Sequence, residues 1–341
     1  MLTLNYLYKP PSATADFKSK AEDFIVDELM DIDFTGEGEH VCLEVVKRGE
    51  NTLTIAKAIA KTAGVALREV SYAGLKDRHG VCTQWFSVPV AIKKHIDFAV
   101  LNNENCMVIR QIRHNRKLRT GCHKGNRFTI TLRNVSDVRA ILARVNAVRQ
   151  GVPNYFGEQR FGFDGHNLNM AERMFNGEPI RDKKLRGIVI SAARSHLFNH
   201  IVSSRVEAHG IAVSWPREIF LLEGSNAFFE EDLNDQNVAR LLSGDIHLSA
   251  PLYGRGDRGI VEQEKAWLTD FTTWCDGLGE LGLKMERRAL RLVPKNFAVE
   301  TIDDNTIKLS FELPKGTFAT AVLRELVQYQ DVSKVVSEES E

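Results

Sequence analysis

Cysteine is scarce and unpatterned in this chain of 341 residues. The five cysteines form no C-x-x-C pair, so neither a thiolate zinc site nor a disulfide framework is expected, and a reducing compartment fits. The chain also lacks an apolar run approaching the ~20 residues that span a bilayer. Its N-terminus lacks the charged-then-apolar layout of a signal peptide. We therefore expect a soluble, cytoplasmic protein.

Acidic residues are absent from one long stretch, although 45 Lys and Arg balance 45 Asp and Glu over the whole chain. Residues 105–136, here called the basic stripe, contain no Asp or Glu but hold the cations Arg110, Arg113, Arg116, Lys117, Arg119, Lys124, Arg127 and Arg133. The zero net charge argues against a uniformly basic nucleic-acid binder. One basic stripe is nevertheless typical of a protein that holds a polyanion on one face. A solvated positive strand and loop without a partner is the alternative.

Length and patterning predict two domains. A chain of 341 residues is long for one compact core. Helices and strands occur without regular βαβ alternation, which predicts an α+β domain with a mostly antiparallel mixed sheet and flanking helices. After Pro153 the sequence contains more loops, and sheet patterning returns at residues 306–313. We predict a discontinuous domain formed by residues 1–153 and 303–341, interrupted by an insertion domain of residues 154–302.

Three local patterns add detail to the first domain. Asn51 and Gly64 bracket an amphipathic helix as its N-cap and C-cap. Residues 127–133 alternate as a strand, which places the side chains of Asn126 and Phe128 on the same face. Ser136 is predicted to cap the helix that follows.

The most informative run is Ala-Gly-Leu-Lys-Asp-Arg-His-Gly at residues 73–80, here called the Asp77 loop. It places one carboxylate, Asp77, between Lys76 and Arg78 in a turn bounded by glycines. Residues 69–72 are predicted to form the strand that enters the turn, and residues 83–90 the strand that leaves it. A polar turn without function would show the same pattern.

The Asp77 loop resembles the signature of the tRNA pseudouridine synthase D family. Further blocks are similar to that family in the expected order, and together they reach from about residue 18 to residue 327: residues 22–28, 36–40, 124–128, 152–162, 191–195 and 316–325. The resemblance implies a pseudouridine synthase-type catalytic domain interrupted by an α/β insertion domain. It also implies isomerisation of uridine to pseudouridine at uridine 13 in the D-stem of tRNA, without cofactor or metal.

By the same resemblance Asp77 is the catalytic nucleophile and Lys18 is its active-site lysine. Phe24 and Phe318 match family positions at the base or sugar. In the block that resembles the family at residues 124–128, Asn126 can present an acceptor and donors to the uracil edge, and Phe128, on the same face, can stack on the base. Each phenylalanine is otherwise an ordinary core residue. Three routes stay open for Asp77, since the sequence does not distinguish attack on ribose C1′, attack on uracil C6 and removal of the C2′ proton.

A tRNA substrate requires cations beyond the catalytic pocket, because the target base must leave its stack. The RNA-binding candidates of the basic stripe are Arg113, Arg116, Lys117, Arg119 and Lys124, and those of the insertion are Arg181, Lys183, Lys184 and Arg186. No membrane association or obligate protein partner is indicated. Two rival interpretations stay open: a non-catalytic RNA-binding module that keeps the pocket shape, and an unrelated hydrolase that uses Asp77 as its base.

Overall fold

The computed structural model describes residues 3–333. Within that range the strands are β1 (Thr14–Phe17), β2 (Phe24–Leu29), β3 (His40–Arg48), β4 (Ser71–Tyr72), β5 (Val81–Pro89), β6 (Cys106–His114), β7 (Gly125–Arg133), β8 (Val152–Pro153), β9 (Glu218–Leu222), β10 (Phe228–Glu231), β11 (Ile246–Leu252), β12 (Glu286–Ala289), β13 (Arg291–Leu292), β14 (Lys295–Asp303), β15 (Thr306–Pro314) and β16 (Gln328–Asp331). The α-helices are α1 (Thr52–Ala63), α2 (Val138–Arg149), α3 (His166–Phe175), α4 (Lys183–Ala208), α5 (Asp235–Ser243), α6 (Glu262–Ala266), α7 (Thr272–Glu280) and α8 (Ala319–Leu326).

These elements form two compact units. The sheet unit contains residues 12–143, 294–316 and 327–333 of the described range, and the helical unit contains residues 3–11, 144–293 and 317–326. The helical unit therefore has a different extent from the predicted insertion of residues 154–302. Strand β14, which that prediction placed in the insertion, pairs with β15 in the sheet unit. The assignment of functional domains stays a prediction.

A ten-stranded sheet forms the sheet unit. Its main path is β14-β15-β7-β2-β5-β3-β6, while β1, β16 and β4 join from the sides. Among the described strands of this sheet, β2 with β5 and β1 with β16 are the parallel pairs, and the other neighbours are antiparallel. The expected α+β fold with a mostly antiparallel mixed sheet is confirmed.

The core of the sheet unit lies between helix α1 and strands β3 and β5. Leu43 and Val45 alternate on the inner face of β3, and Ile59 of α1 packs into the same apolar cluster. Helix α1 ends at Gly64, whose left-handed φ of 73° is accessible to glycine without a Cβ clash. The predicted helix is confirmed, although the Asn51 side chain makes no capping hydrogen bond.

The prediction that Ser136 caps the next helix is wrong. Helix α2 begins at Val138, and Oδ1 of Asp137 accepts a hydrogen bond from the Ala140 N–H at 3.0 Å. The Ser136 hydroxyl oxygen instead accepts from the N–H of Thr14 at 2.9 Å. The local pattern assigns this hydroxyl to the N-terminus of the helix. In the fold, the distant N–H of Thr14 binds it instead, so Ser136 is hydrogen-bonded to the start of β1.

The helical unit is built around α4, which is buried over much of its length. A four-stranded sheet of order β10-β9-β11-β12 belongs to the same unit. Arg205 of α4 and Glu218 of β9 form a buried ion pair at 2.5 Å, so each charge has an opposite charge as partner away from water. In the described part of the chain, no helix combines the length and apolar character needed to cross a membrane.

Candidate active site

The Asp77 loop connects β4 to β5, as the sequence predicts. Oδ1 of Asp77 accepts a hydrogen bond from the His79 N–H at 3.0 Å. This contact between a side chain and the backbone two residues later forms a turn that is typical of aspartate. At Gly80 the chain passes so close to β2 that a Cβ atom would lie 2.6 Å from the carbonyl oxygen of Phe24. Gly80 is therefore required for the loop to pack beside Phe24.

Lys18 follows directly after β1 and pairs with Asp77 across 59 residues of sequence. Its Nζ donates to Oδ2 of Asp77 and lies 3.9 Å from Oδ2 of Asp331. The Lys18 residue is 6% exposed and has a φ of 62°, a left-handed conformation that is unfavourable for a side chain with a Cβ. Backbone strain of this kind persists where the surrounding structure imposes it, and it is concentrated at functional sites.

The ion pair decides the charge state of Asp77. Burial alone would raise the pKa of its carboxyl, but the nearby Lys18 ammonium and the hydrogen bonds from Lys18 and His79 outweigh burial and hold the pKa below its ordinary value. Asp77 is thus a largely buried carboxylate that is ionised at neutral pH. A group in that state can act as a nucleophile or as a base.

Lys76, the neighbour of Asp77 in sequence, has a different partner. Its Nζ makes an ion pair, but no hydrogen bond, with Oε1 of Glu28 at 2.7 Å. Its backbone N–H donates to Oγ1 of Thr52 at 3.1 Å, and Nε2 of Gln84 donates to the carbonyl oxygen of Gly74 at 2.5 Å. The Asp77 loop is therefore fixed by side chains from several elements of the sheet unit.

Phe24, Asn126 and Phe128 lie on neighbouring strands β2 and β7, in a register that pairs Phe24 with Ile130. The Phe24 ring is close to the ion pair of Lys18 and Asp77, because its centroid lies 4.5 Å from Nζ of Lys18. Phe128 is 7% exposed and packs between Phe24, at 6.2 Å, and Phe311, at 5.7 Å between ring centroids. The Oδ1 atom of Asn126 is buried and has no hydrogen-bond partner among residues 3–333.

Phe318 belongs to the helical unit, directly before α8. It is half-buried, with its ring centroid 5.8 Å from that of Phe156 and 5.9 Å from the Arg160 guanidinium carbon. The sequence pattern gave no reason to single out Arg160. Its Nε atom is buried without a partner in the described range, and burial lowers the pKa of its guanidinium.

The predicted RNA-binding residues of the basic stripe separate into two groups. The Arg113 guanidinium donates to the backbone carbonyls of Gly38, Val90, Ala91 and Lys94 at 2.6–3.3 Å. Its donors hold three chain segments together, so Arg113 is not a freely available phosphate ligand. Exposed cations line an open groove of about 1040 Å³ in the same unit: Arg68, Arg116, Lys117 and Arg119.

The remaining candidates are exposed. Nζ of Lys124 lies 3.8 Å from the exposed carboxylate of Asp31, a solvent-screened contact that leaves the ammonium accessible. In the helical unit, Arg181 precedes α4, and Lys183, Lys184 and Arg186 lie in its first turn, which begins at the N-cap Asp182. No group of three or more His, Cys, Asp or Glu side chains suited to a metal ion occurs within residues 3–333.

Comparisons with known proteins point to one family, and the matches cover nearly the whole chain. A family model described as tRNA pseudouridine synthase D (TruD) matches residues 3–181 and 179–326. A tRNA pseudouridine synthase D from Pseudoalteromonas translucida is 68% identical over 333 residues, which cover 98% of this chain and 95% of that protein. A tRNA pseudouridine synthase D from Aeromonas salmonicida is 43% identical over 337 residues, with coverage of 96% and 95%.

A solved structure shows the same fold. The crystal structure of a putative tRNA pseudouridine synthase D from Methanosarcina mazei covers 95% of this chain and 96% of its own, with a TM-score of 0.70. Its sequence identity to this chain is 21%.

Proposed function

This chain belongs to the tRNA pseudouridine synthase D family, and on that premise we propose that it isomerises uridine 13 in the D-stem of tRNA to pseudouridine. The catalytic carboxylate is Asp77, and no cofactor takes part. The observation that carries the proposal is the ion pair of the buried Lys18 with Asp77, the carboxylate of the run that resembles the family's signature. It supplies a positioned, ionised carboxylate, which is the one reactive group that this chemistry needs.

The reaction is balanced without an external reactant. The bond between N1 and ribose C1′ breaks, the uracil turns, and a bond forms between C5 and C1′. C5 loses its hydrogen as a proton and N1 gains one, so no electron is transferred and nothing is hydrolysed. Asp77 either attacks C1′ or C6 or removes the C2′ proton, and Lys18 keeps it ionised in each case.

Neighbouring side chains have the properties needed to hold a detached uracil. Asn126 offers a buried, unpaired amide oxygen and an amide nitrogen, which match the N3–H and carbonyl groups of a uracil edge. Phe24 places an aromatic ring beside Lys18. Phe128 extends that aromatic surface beneath Phe24, and the family resemblance assigns Phe318 to the same substrate.

RNA backbone contact is assigned to cations that protein carbonyls do not occupy. Arg116, Lys117 and Arg119 are exposed along the groove of the sheet unit, and Lys124 is exposed beyond it. We leave Arg113 out of this set because four carbonyl contacts use its donors within the protein. Its role is to fix the end of β6, and the other cations lie in the loop that follows this strand.

A tritium-release assay tests the proposed function. tRNA labelled with tritium at C5 of uridine loses the label only when C5 forms a new carbon–carbon bond. We expect stoichiometric release and a pseudouridine at position 13. Binding without release would favour the non-catalytic RNA-binding module, and cleavage products without release would favour the hydrolase.

The exposed cations along the groove of the sheet unit predict how tRNA binding depends on salt. Replacing Arg116, Lys117 and Arg119 together by Gln should weaken tRNA binding and reduce the slope of log Kd against log salt by about 0.7–0.9 for each phosphate that the variant no longer binds. The measurement is a binding titration at several salt concentrations. The matched control replaces three exposed lysines that do not line the groove, Lys57, Lys61 and Lys93, by Gln. Equal changes of slope in both triple variants would show that only net charge matters.

A second prediction concerns Phe128. Because it is buried, Phe128→Leu should lower the free energy of unfolding by about 1–3 kcal/mol. If the ring also supports the uracil, the single-turnover rate of the folded protein should fall by roughly 5- to 160-fold, the equivalent of ~1–3 kcal/mol of stacking. Phe311→Leu is the matched control, since Phe311 pairs directly with Phe128 on the neighbouring strand β15 and is fully buried. Similar rates in the two variants would make Phe128 a core residue only.

A further inference from the structure

Lys47 carries a charged group on the buried face of β3. Val41, Leu43 and Val45 lie on that face, and alternation along the strand assigns Lys47 to it as well. Lys47 is 0% exposed. An ammonium is costly to remove from water unless its N–H groups are bonded, so its contacts must account for its burial.

The Lys47 ammonium donates to two backbone carbonyls. Nζ lies 2.6 Å from the carbonyl oxygen of Asp77 and 2.7 Å from that of Glu50. Cys82 faces Lys47 across the β3–β5 ladder, and its Sγ lies 3.6 Å from the same Asp77 oxygen. Two adjacent strands of the sheet therefore contact the backbone of the residue that carries the proposed catalytic carboxylate.

These contacts limit the freedom of Asp77. A fixed carbonyl sets the orientation of the Asp77 peptide plane and hence the direction of the Cα–Cβ bond. The remaining freedom is rotation of the side chain, which the hydrogen bond from His79 and the ion pair with Lys18 restrict. Burial lowers the pKa of Lys47, while the nearby Cys82 and Asp77 act in the opposite direction.

We propose that Lys47 is a positioning residue for the uridine isomerisation: it holds the backbone of Asp77 in place and adds a second positive charge that favours the ionised carboxylate. This inference rests on the proposed function. The other titratable groups that face Asp77 or its partners are Lys18 after β1, Lys76 and His79 in the Asp77 loop, Cys82 in β5 and Asp331 in β16.

The experiment measures single-turnover tritium release from C5-labelled tRNA between about pH 3 and pH 9, a range that includes the acid limb of the wild type because the pKa of Asp77 lies below its ordinary value. Lys47→Met removes both the donor and the charge at nearly constant volume, whereas Lys47→Gln keeps a donor but no charge. We expect Lys47→Met to reduce the rate at neutral pH by roughly 10- to 100-fold, with tRNA affinity unchanged. The acid limb of its pH profile should move to higher pH, because Asp77 then binds a proton more readily. Lys47→Gln should regain part of the rate but keep the shifted limb.

The matched control is Val45→Ala, which creates a cavity two residues away on the same buried face of β3. It should lower the melting temperature without moving the acid limb. A wild-type limb in both Lys47 variants would overturn the inference, and so would the failure of both variants to fold, because Lys47 would then be a structural residue only. Absence of tritium release from the wild-type protein would contradict the proposed function itself, and this inference with it.

Discussion

Asp77→Asn is expected to abolish pseudouridine formation while tRNA binding stays close to that of the wild type. The amide has the shape of the carboxylate but is neither a nucleophile nor a base, so the single-turnover rate should fall on the order of 10⁴-fold or more. The substitution also leaves Lys18 as a buried ammonium opposite a neutral group. Since the amide oxygen still accepts one hydrogen bond, we expect the free energy of unfolding to fall by only about 1–3 kcal/mol.

Tritium release and tRNA affinity, measured on the same preparation, separate the loss of chemistry from the loss of structure. Asp27→Asn is the matched control, because Asp27 is a partly exposed carboxylate on β2 whose contact is the hydroxyl of Thr83. It should keep the wild-type rate. Turnover by Asp77→Asn above a trace level would remove Asp77 from the role assigned to it.

Lys18→Met is expected to have the second-largest effect, and the effect should depend on pH. Without the ammonium, the two largest effects that oppose burial of Asp77 are lost and the smaller effects of His79 remain, so the pKa of Asp77 should move from below to above its ordinary value. We expect the rate at neutral pH to fall roughly 10²- to 10³-fold, as when an electrostatic partner is removed from an active site. The acid limb of the pH profile should move to higher pH, and part of the activity should return under alkaline conditions.

The stability of the wild type and of Lys18→Met should reflect the same change in the pKa of Asp77. In the wild type the pKa of Asp77 lies below its unfolded value of ~3.9, so this carboxylate stabilises the fold above that pH and ceases to do so as pH falls through its folded pKa. In Lys18→Met the folded pKa lies above the unfolded one, so ionised Asp77 destabilises the fold at neutral pH. The difference in melting temperature between the two proteins should therefore shrink from pH 7 toward pH 4.

Lys20→Met serves as the control for this pair of measurements, since Lys20 is an exposed lysine two residues further along the chain. Its rate and its pH profile should match those of the wild type. A Lys18→Met protein whose acid limb coincides with that of the wild type would show that Lys18 does not control the charge of Asp77.

Much of the local structure follows from the sequence, because its causes are local. The alternation of residues 127–133 and the glycines around Asp77 predict the strand and the turn that the structure contains. The apolar periodicity between Asn51 and Gly64 predicts helix α1 in the same way. The failure of Ser136 to cap α2 could not be predicted, since it depends on whether a distant backbone N–H competes for the same hydroxyl.

In the candidate site, too, some features follow from the sequence and others depend on the fold. Asp77 is identifiable from its run of residues, and the family resemblance selects Lys18, but the contact between them exists only once β1 and the Asp77 loop meet. Arg113 looks like a phosphate ligand in a stretch without acids, and the fold instead assigns its donors to four carbonyls. Phe128 shares strand parity with Asn126, and the fold adds that its ring is almost fully buried.

The sequence by itself determined the secondary structure around Asp77, the type of sheet and the family, because periodicity, turn chemistry and ordered motifs are properties of the chain. A signal for Lys47 was also present, since it continues the alternation of Val41, Leu43 and Val45 on β3. Only the tertiary structure decided which cation faces which oxygen: Lys18 the carboxylate of Asp77, Lys47 its carbonyl, and Lys76 the carboxylate of Glu28. The physical reason is that burial and long-range hydrogen bonding select these partners, and neither is encoded in the spacing of neighbouring residues.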